Sequence, residues 1–106
     1  MPKWYDLAEK SLKGEEEIQK SYPGKFDGIG GYLMLSDEKL LFVKEEGFLR
    51  KNYSLIQEMP YERIGKIAHE DDYTMALTDV EGEKHEFETY EIPVKIIEDS
   101  LKELKE

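Results

Sequence analysis

Residues 31–44 read GYLMLSDEKLLFVK. Positions 32–35 and 40–43 are apolar throughout, and only the tetrapeptide SDEK parts the two runs. In a β-strand successive side chains point to opposite faces. With SDEK as a four-residue loop, Leu35 faces Leu40 and Leu33 faces Phe42, so these four groups share one face. Met34, Leu41 and Val43 share the other. An open antiparallel sheet needs only one apolar face. The second must therefore be covered, and contiguous apolar surface of this kind marks a contact surface.

Working outward, Trp4, Leu7, Ala8 and Leu12 form one helical stripe, which predicts a short helix over residues 1–13 ended by Gly14. So short a helix has to lie on something to be stable. A first strand is expected around Ile18, between residues 15 and 22. SYPGKFDGIGG then reads as a loop, with Phe26 and Ile29 as anchors. After the hairpin, EEGFLRKN is a polar connection carrying Phe48 and Leu49. Tyr53, Leu55 and Gln57 alternate in a further strand that Met59-Pro60 ends, and Gly65 marks a bulge in the strand after it.

The pair YTMALTDVEGEKHEFET tests parity directly. A two-residue turn would set Leu77 opposite Glu86 and bury a charge. A three-residue loop of Val80, Glu81 and Gly82 sets Met75 opposite Phe87 instead, with Gly82 where a left-handed residue is required. Pro93 suits a helix start. Val94, Ile97, Leu101 and Leu104 then form an amphipathic stripe over residues 92–105, with Lys95, Glu98, Lys102 and Glu103 expected on the wet side. The order is a helix, about seven strands over residues 15–90, and a closing helix. That order predicts a mainly-β α+β domain with an antiparallel sheet.

The chain has 106 residues, enough for one domain with one core and not for two. Its formal charge of −10 repels nucleic acid and anionic headgroups, so no nucleic-acid partner is expected. The absence of cysteine excludes disulfides and thiolate chemistry. The first residues lack the apolar core of a signal peptide, and no apolar stretch could span a bilayer. A cytoplasmic location is the simplest expectation.

Four segments, in order, resemble one family. GYLMLSDEKLLF resembles the G-x-L-x-L-T-x-x-R-L-x-F hairpin of the GRAM and bacterial pleckstrin-homology-like families. Gly31, Leu33, Leu35, Leu40 and Phe42 match, Ser36 stands for threonine and Lys39 for arginine. MPYERIGKI resembles I-P-Y-x-x-I-x-x-I, with Met59 for isoleucine. KGEEEI resembles the P-G-E-E start of the first strand, and KHEFET resembles the closing strand. The resemblance implies a partly open seven-stranded β-barrel with the C-terminal helix packed across one end. Leu33, Leu35, Leu40 and Phe42 would fill it, leaving Met34, Leu41 and Val43 outside. Either the N-terminal helix, through Trp4, or a second subunit would cover them.

The function this predicts is a non-catalytic binding or assembly module for a protein partner or for self-association. Its expected interface is Trp4, Met34, Leu41 and Val43, or an open sheet edge. The alternative is peripheral membrane or anion contact through Lys25, Phe48, Leu49, Arg50 and Lys51. The inter-strand loop SYPGKFDG lacks the basic pattern with which lipid-binding relatives hold inositol phosphates. A second alternative is a small metal-dependent enzyme around His85 and the run Glu70 to Asp72. Against it, His69-Glu70-Asp71-Asp72 reads as a solvated turn without EF-hand spacing. His85 falls on the core side of its strand, as a barrel-end histidine with a satisfied hydrogen bond. The many carboxylates lie in no apolar cleft, and no serine has a nucleophile-elbow context. No catalytic residue, cofactor or metal ligand is assigned.

Overall fold

The computed structural model describes residues 3–105. It comprises α1 (Lys3–Glu9), β1 (Ile18–Phe26), β2 (Ile29–Ser36), β3 (Lys39–Glu46), β4 (Asn52–Pro60), a 3₁₀ turn (Tyr61–Arg63), β5 (Ile64–Asp71), β6 (Thr74–Asp79), β7 (Lys84–Thr89) and α2 (Val94–Lys105). The strands form one antiparallel sheet in the order β4-β3-β2-β1-β7-β6-β5, with β4 and β5 as unpaired edges. The domain is therefore α+β and mainly β, and its sheet is not closed.

The hairpin has the register its parity requires: Leu33 pairs with Phe42 and Leu35 with Leu40. Leu33, Leu35, Leu40 and Phe42 share a core with Met75, Leu77 and Phe87 and with Val94, Ile97 and Leu101 of α2. Strands three positions apart in the sheet can meet in one core only if the sheet curls around it, with α2 plugging the open side. The Tyr22 hydroxyl donates to Ser100 Oγ at 3.2 Å and ties β1 to α2. At the β6–β7 turn Met75 pairs with Phe87, and Gly82 has φ 90°, as the three-residue loop demands.

Several expectations are corrected. Pro23 and Gly24 lie inside β1, because the turn is made by Asp27-Gly28 alone, with φ of 51° and 83° and Phe26 paired with Ile29. Positive φ at both central residues is the geometry of the tight hairpin turn that Asp-Gly favours. Pro23 is tolerated because β7 pairs with β1 only from Gly24 onward. At Gly24 a Cβ would lie 2.4 Å from the Glu88 carbonyl oxygen and 2.5 Å from the Phe87 ring, so only glycine fits. Helix α1 ends at Glu9, and Leu12 lies beyond the turn at Lys10 and Ser11 that follows it. Residues 1–2 of the expected helix lie outside the described residues.

In β4 the register against β3 shifts between Phe42 and Val43. Leu55 pairs with outward Val43, yet Met59 pairs with inward Leu40. Ile56 is the extra residue of this bulge, which moves the apolar side of β4 from one face to the other. On α2, Glu98 is 4% exposed and not on the wet side, because its carboxylate is paired with His69 across the sheet edge.

Candidate functional site

The second face of the hairpin is covered by the chain itself. Met34, Leu41 and Val43 are fully buried with Ala8 of α1, and Trp4, Leu7, Leu12, Ile18, Tyr32, Tyr53 and Leu55 pack around them. Trp4 stacks on Tyr32 with ring centroids 4.0 Å apart and planes 10° apart. Of the two coverings, the helix provides this one. The candidate interface of Met34, Leu41 and Val43 is thus an intramolecular core, with only Trp4 reaching its rim.

The SDEK turn explains why α1 lies there. Ser36 Oγ accepts from the Lys39 amide at 3.0 Å and the Glu38 amide at 3.2 Å and also bonds the Glu16 carboxylate. Lys39 Nζ donates to the Ser11 carbonyl at 2.9 Å, and the Glu17 amide donates to Asp37 Oδ2 at 3.1 Å. The turn thereby holds the connector from α1 to β1, and α1 is carried over the outer face. The Tyr61 hydroxyl donates to the Ser36 carbonyl at 2.6 Å from within the core. Burial, with Asp37 and Glu16 nearby, pushes its pKa above the ordinary tyrosine value.

The residues of the anion reading are not gathered. Phe48 and Leu49 are 92% and 91% exposed in the β3–β4 loop. Beside them Lys51 Nζ is 3.3 Å from Glu45, while Arg50 has no ion pair among the described residues. Lys25 lies on β1 opposite Glu88, in a shallow cleft shared with Glu70, Asp71 and Glu86. That cleft is acidic and unsuited to phosphate.

The chemistry-bearing residues divide in the same way. Glu70 pairs with Lys84 at 2.8 Å, and this bond raises the Lys84 pKa. Asp71 Oδ1 accepts the Tyr73 amide at 2.8 Å, and the Asp72 carbonyl accepts the Val94 amide at 2.8 Å. The acidic run is not the turn expected: Glu70 and Asp71 end β5, only Asp72 enters the turn, and the run does not meet His85. His85 pairs opposite Leu77, is buried, and has its Nδ1 2.7 Å from Asp27 Oδ2. His69 Nδ1 lies 2.8 Å from Glu98 Oε2. Neither partner was legible in the sequence, since 58 and 29 residues separate the pairs.

The remaining feature is the β5 edge. Between bulges at Gly65 and Glu70, residues 66–69 pair regularly with β6 on one side and, among the described residues, with no strand on the other. A groove of about 460 Å³ runs beside this edge, lined by Gly65, Lys66 and Ile67 of β5 and by Lys102 and Lys105 of α2. Lys105 Nζ donates to the Ile64 carbonyl at 2.6 Å and holds the helix at this distance. Three lysines thus frame an open edge on a chain of net charge −10. Among the described residues no helix is long and apolar enough to cross a membrane. No protein-family model matches the chain, and no curated protein is similar enough to count as a match.

Proposed function

We propose that the protein is a pleckstrin-homology-like, non-catalytic binding module that takes an extended acidic segment of a partner protein along β5. Two things support the family reading: the four sequence segments, and the order of seven antiparallel strands followed by a core-plugging helix. The observation that carries the function is the open β5 edge beside three lysines. An unpaired edge offers main-chain hydrogen bonds to an added strand, and flanking charge selects among strands. The bulges at both ends limit the addition to about four residues. With α1 over the outer hairpin face, assembly through that face would require α1 to leave.

Selection from a library of extended octapeptides tests this reading. Acidic sequences are expected, with amide protection confined to residues 66–69. Binding should fall at least tenfold in Lys66→Glu/Lys102→Glu. Selected peptides that protect the β4 edge, or self-association along β5 without peptide, would contradict it. A second reading rests on the exposed Phe48-Leu49 tip beside Arg50: peripheral contact with an anionic membrane. Sedimentation with phosphatidylserine vesicles at low salt, lost in Phe48→Ser/Leu49→Ser, would favour it over the first.

A further inference from the structure

The cover that α1 lays over the outer sheet face stops at the Trp4–Tyr32 stack, and a cleft begins beside it. Pro23 pairs with Tyr32 and Tyr32 with Val43, so all three share the outer face. Alternation puts Gly30 and Glu45 on that face too, each two residues from one of these pairs. Gly30 brings no side chain, which leaves a gap in the outer layer. Thr89 pairs with Gly24, so Tyr90 leaves β7 beside Pro23. Its hydroxyl reaches over the gap: a Cβ at Gly30 would lie 3.3 Å from it. The result is a cleft of about 340 Å³ lined by Pro23, Gly30, Gly31, Tyr32, Glu45 and Tyr90. That size is near the lower end for ligand pockets and suits one small group.

Its walls and its charge say which group. Trp4 holds the Tyr32 ring in place, and Tyr90 is 53% exposed, a large aromatic left at the surface over a vacant floor. Aromatic faces carry partial negative charge and attract cations. The charged side chain in the lining is Glu45. Its Oε2 accepts from the Tyr53 hydroxyl at 3.1 Å and from the Tyr32 hydroxyl at 3.4 Å, which fixes the carboxylate against the rings. Its Oε1 lies 3.3 Å from Lys51 Nζ, but that ammonium is half exposed and outside the lining. Such a surface pair holds weakly. Burial, and then the Glu45 charge, pushes the Tyr32 phenol above its ordinary pKa. A field that opposes a second negative charge there favours a positive one. Lys25, opposite Gly30, does not supply it, because it lines the acidic cleft of Glu70 and Glu86 instead.

We propose that this cleft binds one guanidinium group, set against Tyr32 and Tyr90 and paired with Glu45. A guanidinium is planar and weakly hydrated, stacks on aromatic rings and meets a carboxylate through a rigid fork of donors. An ammonium is a compact, strongly hydrated charge and gives up more water on entering walls of this kind. The site lies on the outer face of β1, β2 and β3 and is independent of the peptide reading at β5.

The test titrates the full chain with N-acetylarginine N-methylamide at neutral pH and low salt, followed by NMR. Saturable shifts are expected at the Gly30 amide and at the Tyr32 and Tyr90 rings, with the amides of residues 66–69 unmoved. The lysine counterpart should bind at least about fivefold more weakly. Variants are checked for fold by backbone NMR. Glu45→Gln can still accept from both phenols and should weaken binding at least about tenfold. Gly30→Ala sets a methyl on the cleft floor and should weaken it about tenfold. Tyr90→Ala removes an exposed wall and should weaken it about two- to fivefold. An arginine-bearing octapeptide that binds more tightly than the amino-acid derivative would identify a protein segment as the source of the group, and equal affinity would identify a free guanidino compound. Absence of saturable shifts at Gly30 would overturn the proposal. So would undiminished binding in Glu45→Gln, or equal binding of the lysine counterpart.

Discussion

On the inner face of the β2–β3 hairpin, Leu33, Leu35, Leu40 and Phe42 meet side chains from five other strands and from α2. On the outer face, Met34, Leu41 and Val43 meet one seven-residue helix, its connector and a few neighbours on the same sheet. Both sets are fully buried. They differ in what would be lost if the cover left. The inner face cannot open without unfolding the sheet. The outer face needs only α1 to lift, and a helix of that length has no stability of its own in water. Equal burial thus conceals unequal cooperativity, with α1 and its face forming the weaker unit.

Truncations rank the two faces. Phe42→Ala, on the inner side, should cost about 3–5 kcal/mol by chemical denaturation; a loss below about 1.5 kcal/mol would mean that the interior is not shared as described. Leu41→Ala, on the outer side, should cost about 2–3 kcal/mol, because α1 can settle into part of the space. An equal cost would show the two faces to be equally rigid. Trp4→Ala removes the stack on Tyr32 and should cost about 1–2 kcal/mol. Hydrogen exchange should then quicken in α1 while the hairpin amides stay protected.

Tyr61→Phe probes the tie between the faces and should cost about 1 kcal/mol through the lost bond to the Ser36 carbonyl. It should also change the alkaline limb of stability. The folded-state pKa of Tyr61 is raised, so the unfolded chain ionises first. The contribution is complete below about pH 10 and is lost as pH rises above it. The variant should therefore lose less stability between pH 9 and 11 than the parent, read from denaturation midpoints. An unchanged alkaline limb would remove Tyr61 as its source.

The parts of this comparison that were legible in the sequence are those governed by parity. Alternation fixes the pairing of Leu33 with Phe42, and the penalty for burying Glu86 selects the Val80–Gly82 loop. What stayed hidden depends on single insertions and distant partners. The bulge at Ile56 reverses the apolar side of β4 and has no residue signature of its own. Glu98 looks like a wet-side residue until His69 is brought beside it. The β1–β2 turn did carry a signal, Asp27-Gly28, but Pro23 and Gly24 suggested a longer loop. At the candidate sites, the exposed Phe48-Leu49 tip could be read from composition. The β5 edge and the Asp27–His85 pair depend on strand order and tertiary contacts that no local pattern states.

The most direct test of the covering is methyl NMR on a mixture of isotope-labelled and unlabelled chains. Contacts from the Ala8 methyl to the methyls of Leu41 and Val43 should appear within a single chain and be absent between chains, at a solution mass of one subunit. The same contacts found only between labelled and unlabelled chains, or not found at all, would contradict a hairpin sealed on its outer side by its own N-terminal helix.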